Sequence, residues 1–178
     1  MSLSKKEVRE IAGLTFFEIG SDPKNWMSQA RAFKEAAELI AKCDEYSPTV
    51  PYYYNAGLSL EIIMKAIAVA KGKNFEPNHR LNDLCKLIGI NITNDQECTL
   101  ELLSEIIVWS GRYPVPKKEG HWNNYHDVIQ EKHIVREHDG KVGKVIANRE
   151  RFPTLRNYLL LWSMCEQEYS TAISNSSL

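Results

Sequence analysis

Between Tyr52 and Lys71 the chain reads Tyr-Tyr-Tyr-Asn-Ala-Gly-Leu-Ser-Leu-Glu-Ile-Ile-Met-Lys-Ala-Ile-Ala-Val-Ala-Lys, which puts apolar residues on nearly every face of a helix. A helix apolar all round has to be surrounded, because no side of it is suited to water. Its longest apolar stretch, Gly57 to Ala70, contains Glu61 and Lys65 and is too short to span a bilayer, so the surroundings are expected to be the rest of the chain. Gly72 is the natural stop.

The remaining sequence supplies the wrapping. Ser4 with Glu7 forms a capping box ahead of a short leading helix. Ser21 or Asp22 caps a helix with Pro23 in its first turn, in which Trp26, Ala30, Phe33, Ala37 and Ile40 recur at helical spacing. Ser47, Pro48 and Pro51 break that helix and begin the apolar one. A short helix after His79 carries Leu81, Leu84, Leu87 and Ile88 and closes at Gly89. Asn94 with Glu97 suggests a further capping box, opening a helix that runs to Trp109 and ends at Gly111. Leu155, Tyr158, Leu159, Trp162, Cys165 and Tyr169 line a last helix, with fraying expected from Ser170 to Leu178.

Between these helices the pattern is less regular. Arg112-Tyr113-Pro114-Val115-Pro116 has to be extended, since each proline pushes its predecessor out of the α region. Asp139-Gly140 between Ile134-Val135 and Val142 suggests a β-hairpin, while Val128, Lys132 and Val135 also suit a helix. The expectation is one mainly all-α domain over residues 1–178. It is an antiparallel bundle of about five to six helices with a core at 22–110 and 153–170. An irregular or small β-hairpin insertion fills 111–152.

Composition excludes several function classes. Hydrophobic residues at 43% and charged residues at 25% are ordinary for a globular chain. A formal net charge of -1 argues against a protein that coats nucleic acid through bulk charge, and leaves local basic patches open. The four cysteines, Cys43, Cys85, Cys98 and Cys165, include no Cys-x-x-Cys pair and read as reduced thiols packed in the core. The N-terminus has charges where a secretory signal has an apolar region, so a cytoplasmic location without a membrane partner is expected.

The candidate chemistry lies in a few polar residues. Glu61 and Lys65 stand one turn apart on the apolar helix, with Asn55 and Ser59 at the same spacing. The plainer reading pairs Glu61 with Lys65 and bonds Asn55 and Ser59 to a neighbouring helix end. Arg112, braced by prolines and flanked by Trp109, Tyr113 and Trp122, suits phosphate or base recognition. Its plainer alternative is to cap the carbonyls of its own helix or pair with Glu61. His121, His126, His133 and His138 lie among carboxylates without a zinc-site spacing, so exposed histidines or a general acid or base are expected before a metal site. No Gly-rich phosphate loop and no nucleophile elbow occurs, and no cofactor is expected.

The run Asn55-Ala56-Gly57-Leu58-Ser59-Leu60-Glu61-Ile62-Ile63-Met64-Lys65-Ala66 resembles the helix of HEPN domains in which a Glu and a Lys stand one turn apart among apolar residues. Asn78-His79-Arg80-Leu81-Asn82-Asp83-Leu84 is similar to that family's His-x-Leu entry into the next helix. The resemblance covers about Trp26 to Trp109. It implies an antiparallel helical bundle, a homodimer, and a toxin–antitoxin or defence setting with an antitoxin or other protein partner. Relatives cut RNA without a metal, bind nucleotides or serve as inactive partners. The cutting members carry an Arg followed after four to six residues by His; here Arg112 is too far from His121 and Arg136 too close to His138.

Three expectations follow. The first is a non-catalytic or divergent HEPN-like module that binds a protein partner or a nucleotide or RNA ligand through Glu61, Lys65, His79, Arg112, Tyr113 and Trp122. The second is a metal-independent endoribonuclease with Arg112 on the phosphate, His121 or His126 as acid or base, and Lys65 adding charge. The third is a structural protein in which these groups only pack. Whether Arg112, a histidine from the 121–138 stretch and Lys65 line one cleft separates them: if they point apart, only binding and assembly remain.

Overall fold

The computed structural model describes residues 3–43, 49–139 and 142–176, with the backbone alone at 138, 139, 142 and 176. The elements are α1 (Lys5–Ile11), α2 (Phe16–Ser21), α3 (Pro23–Ala41), α4 (Thr49–Ala70), α5 (Leu81–Ile88), α6 (Asn94–Glu105), α7 (Glu119–Asn124), α8 (Gln130–Lys132), β1 (Ile134–Asp139), β2 (Val142–Ala147) and α9 (Leu155–Ser176). A π-helical turn, Ile106–Ser110, continues α6, and another, Tyr125–Ile129, joins α7 to α8. The fold is mainly α-helical with one small antiparallel hairpin, as expected.

Local signals account for most helix ends. Ser4 and Glu7 form the expected capping box, and Asp22 accepts a bond from the Lys24 amide ahead of Pro23. α2 has a capping box of its own, Thr15 with Glu18. At α6 the cap is Thr93 with Gln96, one residue before the expected Asn94 and Glu97; Thr93 is extended and its hydroxyl accepts the Gln96 amide, so Asn94 is already helical. Gly72 and Gly89 follow α4 and α5 in the left-handed region, where a glycine meets no steric penalty. α9 continues through Ser170 to Ser176, where fraying was expected, because Ala172 is buried and Ser170, Thr171 and Ser174 bond back to carbonyls one turn earlier. The Ser47–Pro48 break and Gly140, expected in the hairpin turn, lie outside the described residues.

α4 is the axis of the bundle. Ala56, Leu60, Ile63, Met64, Ala66 and Ile67 are fully buried, and Glu61 and Ser59 are buried with them. α3 packs along it most extensively, and its first turns reach back to the loop after α4, where Trp26 meets Phe75 edge to face. α9 closes the other side: Tyr158 bonds Ser59 and packs on Tyr52 near one end of α4, and Glu168 pairs with Lys71 near the other. Of the two bonds expected to a neighbouring helix end, Ser59 makes one, to Tyr158 in the first turn of α9, and Asn55 makes none. Asn55 donates to the Pro51 carbonyl of its own helix, and Ser59 donates to Ala56 and shares a hydroxyl bond with Tyr158.

α6 approaches α4 closely at Gly57. A Cβ there would stand 2.7 Å from Ile107 Cγ2 and 3.4 Å from the Leu103 carbonyl. The missing side chain therefore sets the spacing between the helices.

The insertion is less peripheral than its irregular sequence suggests. β1 and β2 pair antiparallel from Ile134↔Ala147 to Asp139↔Val142, and residues 119–132 are helical, so the hairpin and helix readings each hold for part of it. Ile129 and His133 are buried, Lys132 reaches Glu101 at 2.7 Å, and Arg151 reaches Asp95 at 2.8 Å, tying the segment to α6. His133 is thus not one of the exposed histidines expected. Its ring nitrogens face the Ile129 and Cys98 carbonyls at 2.7 and 3.0 Å, a packing role. No helix among the described residues is long and apolar enough to cross a membrane.

Cys85, Cys98 and Cys165 are buried as expected, while Cys43 is exposed just past the end of α3. Burial pushes the Cys85 thiol up to about 12 and raises Cys98 and Cys165 as well, which suppresses the reactive thiolate. Native protein treated with a thiol-reactive disulfide reagent should therefore release one fast equivalent, from Cys43, and the other three only in denaturant. Gly57→Ala should lower unfolding free energy by about 1–2 kcal/mol in urea titrations, overpacking against Ile107 outweighing the helix-propensity gain.

Candidate functional site

The polar residues of α4 do not act alone. Lys65 Nζ lies 2.5 Å from Glu61 Oε1, and His79 Nδ1 lies 2.9 Å from Glu61 Oε2. Glu61 is buried, Lys65 nearly so, and the His79 side chain is 46% exposed. The expected Glu61–Lys65 pair is present, with His79 as a third member. A carboxylate out of water needs such partners, and here each oxygen has a cationic or hydrogen-bonding one. Phe75 covers the group, with Lys65 Nζ 5.5 Å from its ring centre. The trio joins the middle of α4 to the loop that leads into α5.

His79 opens onto a cleft of ≈ 790 Å³, the size of a small-molecule site. The far wall begins where α6 turns into the π-helical Ile106–Ser110. Such turns insert an extra residue and rotate the side chains that follow, and they recur at functional sites. Gly111 completes the turn, since a Cβ there would meet the Ile106 carbonyl and Tyr54 at 2.7 Å. Trp109 is buried and donates from Nε1 to Glu105 at 2.7 Å. Its ring packs against Trp122 and Tyr125, with centroids 6.0 and 5.2 Å apart, which docks α7 onto the end of α6.

Arg112, Tyr113, Lys117, Lys118 and His121 bring positive or protonatable groups and an aromatic ring to the same cleft. Arg112 donates to the Val108 carbonyl at 2.7 Å, capping its own helix, and its guanidinium sits 5.3 Å from the Tyr113 ring centre. Of the alternatives drawn from sequence, the cap is realised, and Glu61 is occupied by Lys65 and His79 instead. One nitrogen in the cap leaves the remaining guanidinium donors to other acceptors. None of the cleft's lining residues is an Asp or a Glu.

Of the residues singled out in the sequence, His79, Arg112, Tyr113 and His121 come together on this cleft. Glu61 and Lys65 stand behind His79, and Trp122 supports Trp109. His126 does not line it: its ring packs on Trp122 and Tyr125 and its Nδ1 faces Gln130 at 3.1 Å. Arg136 is held at the hairpin by both carboxylate oxygens of Glu131, which keeps the Glu131 carboxyl below its ordinary value. Lys117 and Lys118 were missed from sequence. Their signal is two adjacent lysines directly after Pro116, which looks like any solvated loop until the fold places them opposite His79. Among the described residues, no group of three or more His, Cys, Asp or Glu is placed to hold a metal ion.

No protein-family model, curated protein or solved structure matches this chain.

Removing Glu61 should strand Lys65 and expose the fold to a buried charge. Glu61→Ala and Lys65→Ala are each expected to lower stability by about 3–5 kcal/mol in urea unfolding. The double change Glu61→Ala with Lys65→Ala should cost clearly less than the sum of the single changes, and a double-mutant cycle reads that coupling.

Proposed function

We propose that this chain is a HEPN-like helical module that binds a nucleotide or RNA ligand in the cleft between His79, the end of α6 and the start of α7. The observation that carries the reading is the convergence of Arg112, Lys117, Lys118, His79 and His121 on one cleft beside Trp109 and Tyr113, with no carboxylate in its lining. Arginine and lysine pair with phosphate oxygens, and the exposed Tyr113 ring gives a base a face to stack on. A net charge near zero over the whole chain restricts such binding to this local patch. The toxin–antitoxin or defence setting, with an antitoxin or other protein partner, comes to the proposal from the resemblance of Asn55–Ala66 and Asn78–Leu84 to HEPN helices.

The endoribonuclease reading keeps one supporting observation: Arg112 and two histidines, His79 and His121, share the cleft. Its chemistry would have Arg112 hold the scissile phosphate and a histidine move the proton of the attacking 2′-hydroxyl. His126 leaves this set, and His79 replaces it. The missing Arg-to-His spacing favours binding without cutting.

Fluorescence anisotropy with labelled oligoribonucleotides and nucleotides tests the proposal. Binding should weaken at least tenfold in Arg112→Ala and by a similar factor in Lys117→Ala/Lys118→Ala, with a shallower salt dependence in the lysine pair. Unchanged affinity in both variants would remove the cleft from consideration. The same RNAs incubated in chelator should stay intact; cutting that disappears in both Arg112→Ala and His121→Ala would instead establish the nuclease.

A further inference from the structure

His79 differs from the other polar groups of the cleft in how it is held. Among the lining side chains, Arg112, Lys117 and Lys118 only donate hydrogen bonds, which suits phosphate oxygens. The side chains that can accept one are His79, Tyr113 and His121. Of these three, His79 alone is fixed by a hydrogen bond among the described residues, through Nδ1 to Glu61 Oε2 at 2.9 Å. The backbone around it is fixed as well. Asn78 accepts from the Arg80 amide at 3.0 Å, and the Leu81 amide donates to Ser104 of α6 at 3.1 Å. The imidazole is thus positioned before any ligand arrives.

The Glu61 contact also selects which ring nitrogen carries the proton. A carboxylate only accepts, and both Glu61 oxygens are engaged, Oε1 by the Lys65 ammonium and Oε2 by His79. Nδ1 therefore donates, and in the neutral ring Nε2 is left as an acceptor. With Nδ1 turned inward to a buried carboxylate, Nε2 lies on the half-exposed side of the ring, the side that borders the cleft. Resting on the nucleotide or RNA reading of the cleft, we infer that His79 Nε2 accepts a hydrogen bond from the ribose 2′-hydroxyl, with Glu61 as its positioning residue. A phosphodiester has no proton to offer, so the donors that a nucleotide brings are its sugar hydroxyls and the N–H groups of its base. The base groups differ from one base to the next. The 2′-hydroxyl recurs at every ribonucleotide, beside the phosphate that the cations hold, and it is the group by which a protein tells RNA from DNA. His79 is then the specificity residue of the cleft and not one more cation in it.

Fluorescence anisotropy at about pH 8, where an imidazole is ordinarily neutral, tests this with labelled oligomers of uridylate, deoxyuridylate and 2′-fluoro-deoxyuridylate. All share one base, and the fluoro sugar keeps the ribose pucker without a donor. The wild type should bind the uridylate about three- to tenfold more tightly than either of the others, the range for one hydrogen bond. In His79→Phe that ratio should fall to about one. In Glu61→Gln the amide carbonyl stays with Lys65 and the amide N–H turns to His79 Nδ1, which moves the ring proton to Nε2. The preference should then be lost although His79 is still present, a result that a packing role for Glu61 does not produce. Long-range proton–nitrogen NMR spectra of the wild type should show His79 Nε2 without a proton, a readout that needs neither variant to fold. Equal binding of all the oligomers, still weakened by Arg112→Ala, would overturn the role of His79 and leave the nucleotide reading of the cleft standing. Binding of none of them would overturn both. A preference retained in His79→Phe or in Glu61→Gln, or a protonated Nε2 in the wild type at that pH, would also overturn the inference.

Discussion

Glu61 is the constraint on which the arrangement depends. A carboxylate in the middle of a helix that is otherwise apolar has to find partners for both oxygens, or the helix cannot be buried there. Lys65 satisfies one oxygen from the next turn of α4. The other is satisfied by His79, eighteen residues further on, across a loop that reverses the chain. That second bond fixes where the loop must return. It sets the start of α5 and places a half-exposed imidazole at the edge of the bundle. The polar interruption of α4 is therefore also what organises one wall of the cleft.

The opposite wall depends on backbone geometry. α6 can lie against α4 because Gly57 leaves room for Ile107 and Leu103. Its extension into a π-helical turn then carries Trp109 inward and Arg112 outward. Trp109 serves as the floor on which Trp122 and Tyr125 of the insertion pack. The ion pairs from Glu101 and Asp95 to Lys132 and Arg151 fasten that insertion further along α6. One helix thus supplies the arginine, supports the segment that brings Lys117, Lys118 and His121, and holds both against α4.

Legibility followed the range of the forces involved. The Ser4 box, the Pro23 start and the Gly72 and Gly89 stops are local hydrogen-bonding and steric effects, and they were readable within a few residues, to within one position at Thr93; the Thr15–Glu18 box of α2, just as local, was missed. The burial of α4 was readable because its composition leaves no wet face. Residues 117–148 were not, since their helix and hairpin are weak locally and are held by Glu101, Asp95 and Trp109 from elsewhere in the chain. His133 shows the same limit. Nothing in its neighbours marks it as buried, because the carbonyl that receives it belongs to Cys98, thirty-five residues earlier.

By itself the sequence determined a helical protein built round Tyr52–Lys71, the polar trio's first two members, and four of the residues that reach the cleft. Periodicity, capping and composition decide the helices and the Glu61–Lys65 pair; Arg112, Tyr113 and His121 were candidates by side-chain chemistry, and His79 by the resemblance to HEPN helices. Only the tertiary structure decided that His79 completes the Glu61 pair, that Lys117 and Lys118 line a cleft with it, that His126 turns away, and that Phe16 and Phe17 stay exposed. Each of these is a matter of which surfaces meet after the chain has folded back on itself. Residues far apart in sequence are then partners, and neighbours such as His121 and His126 part company because five residues carry a helix about 140° round from the first face.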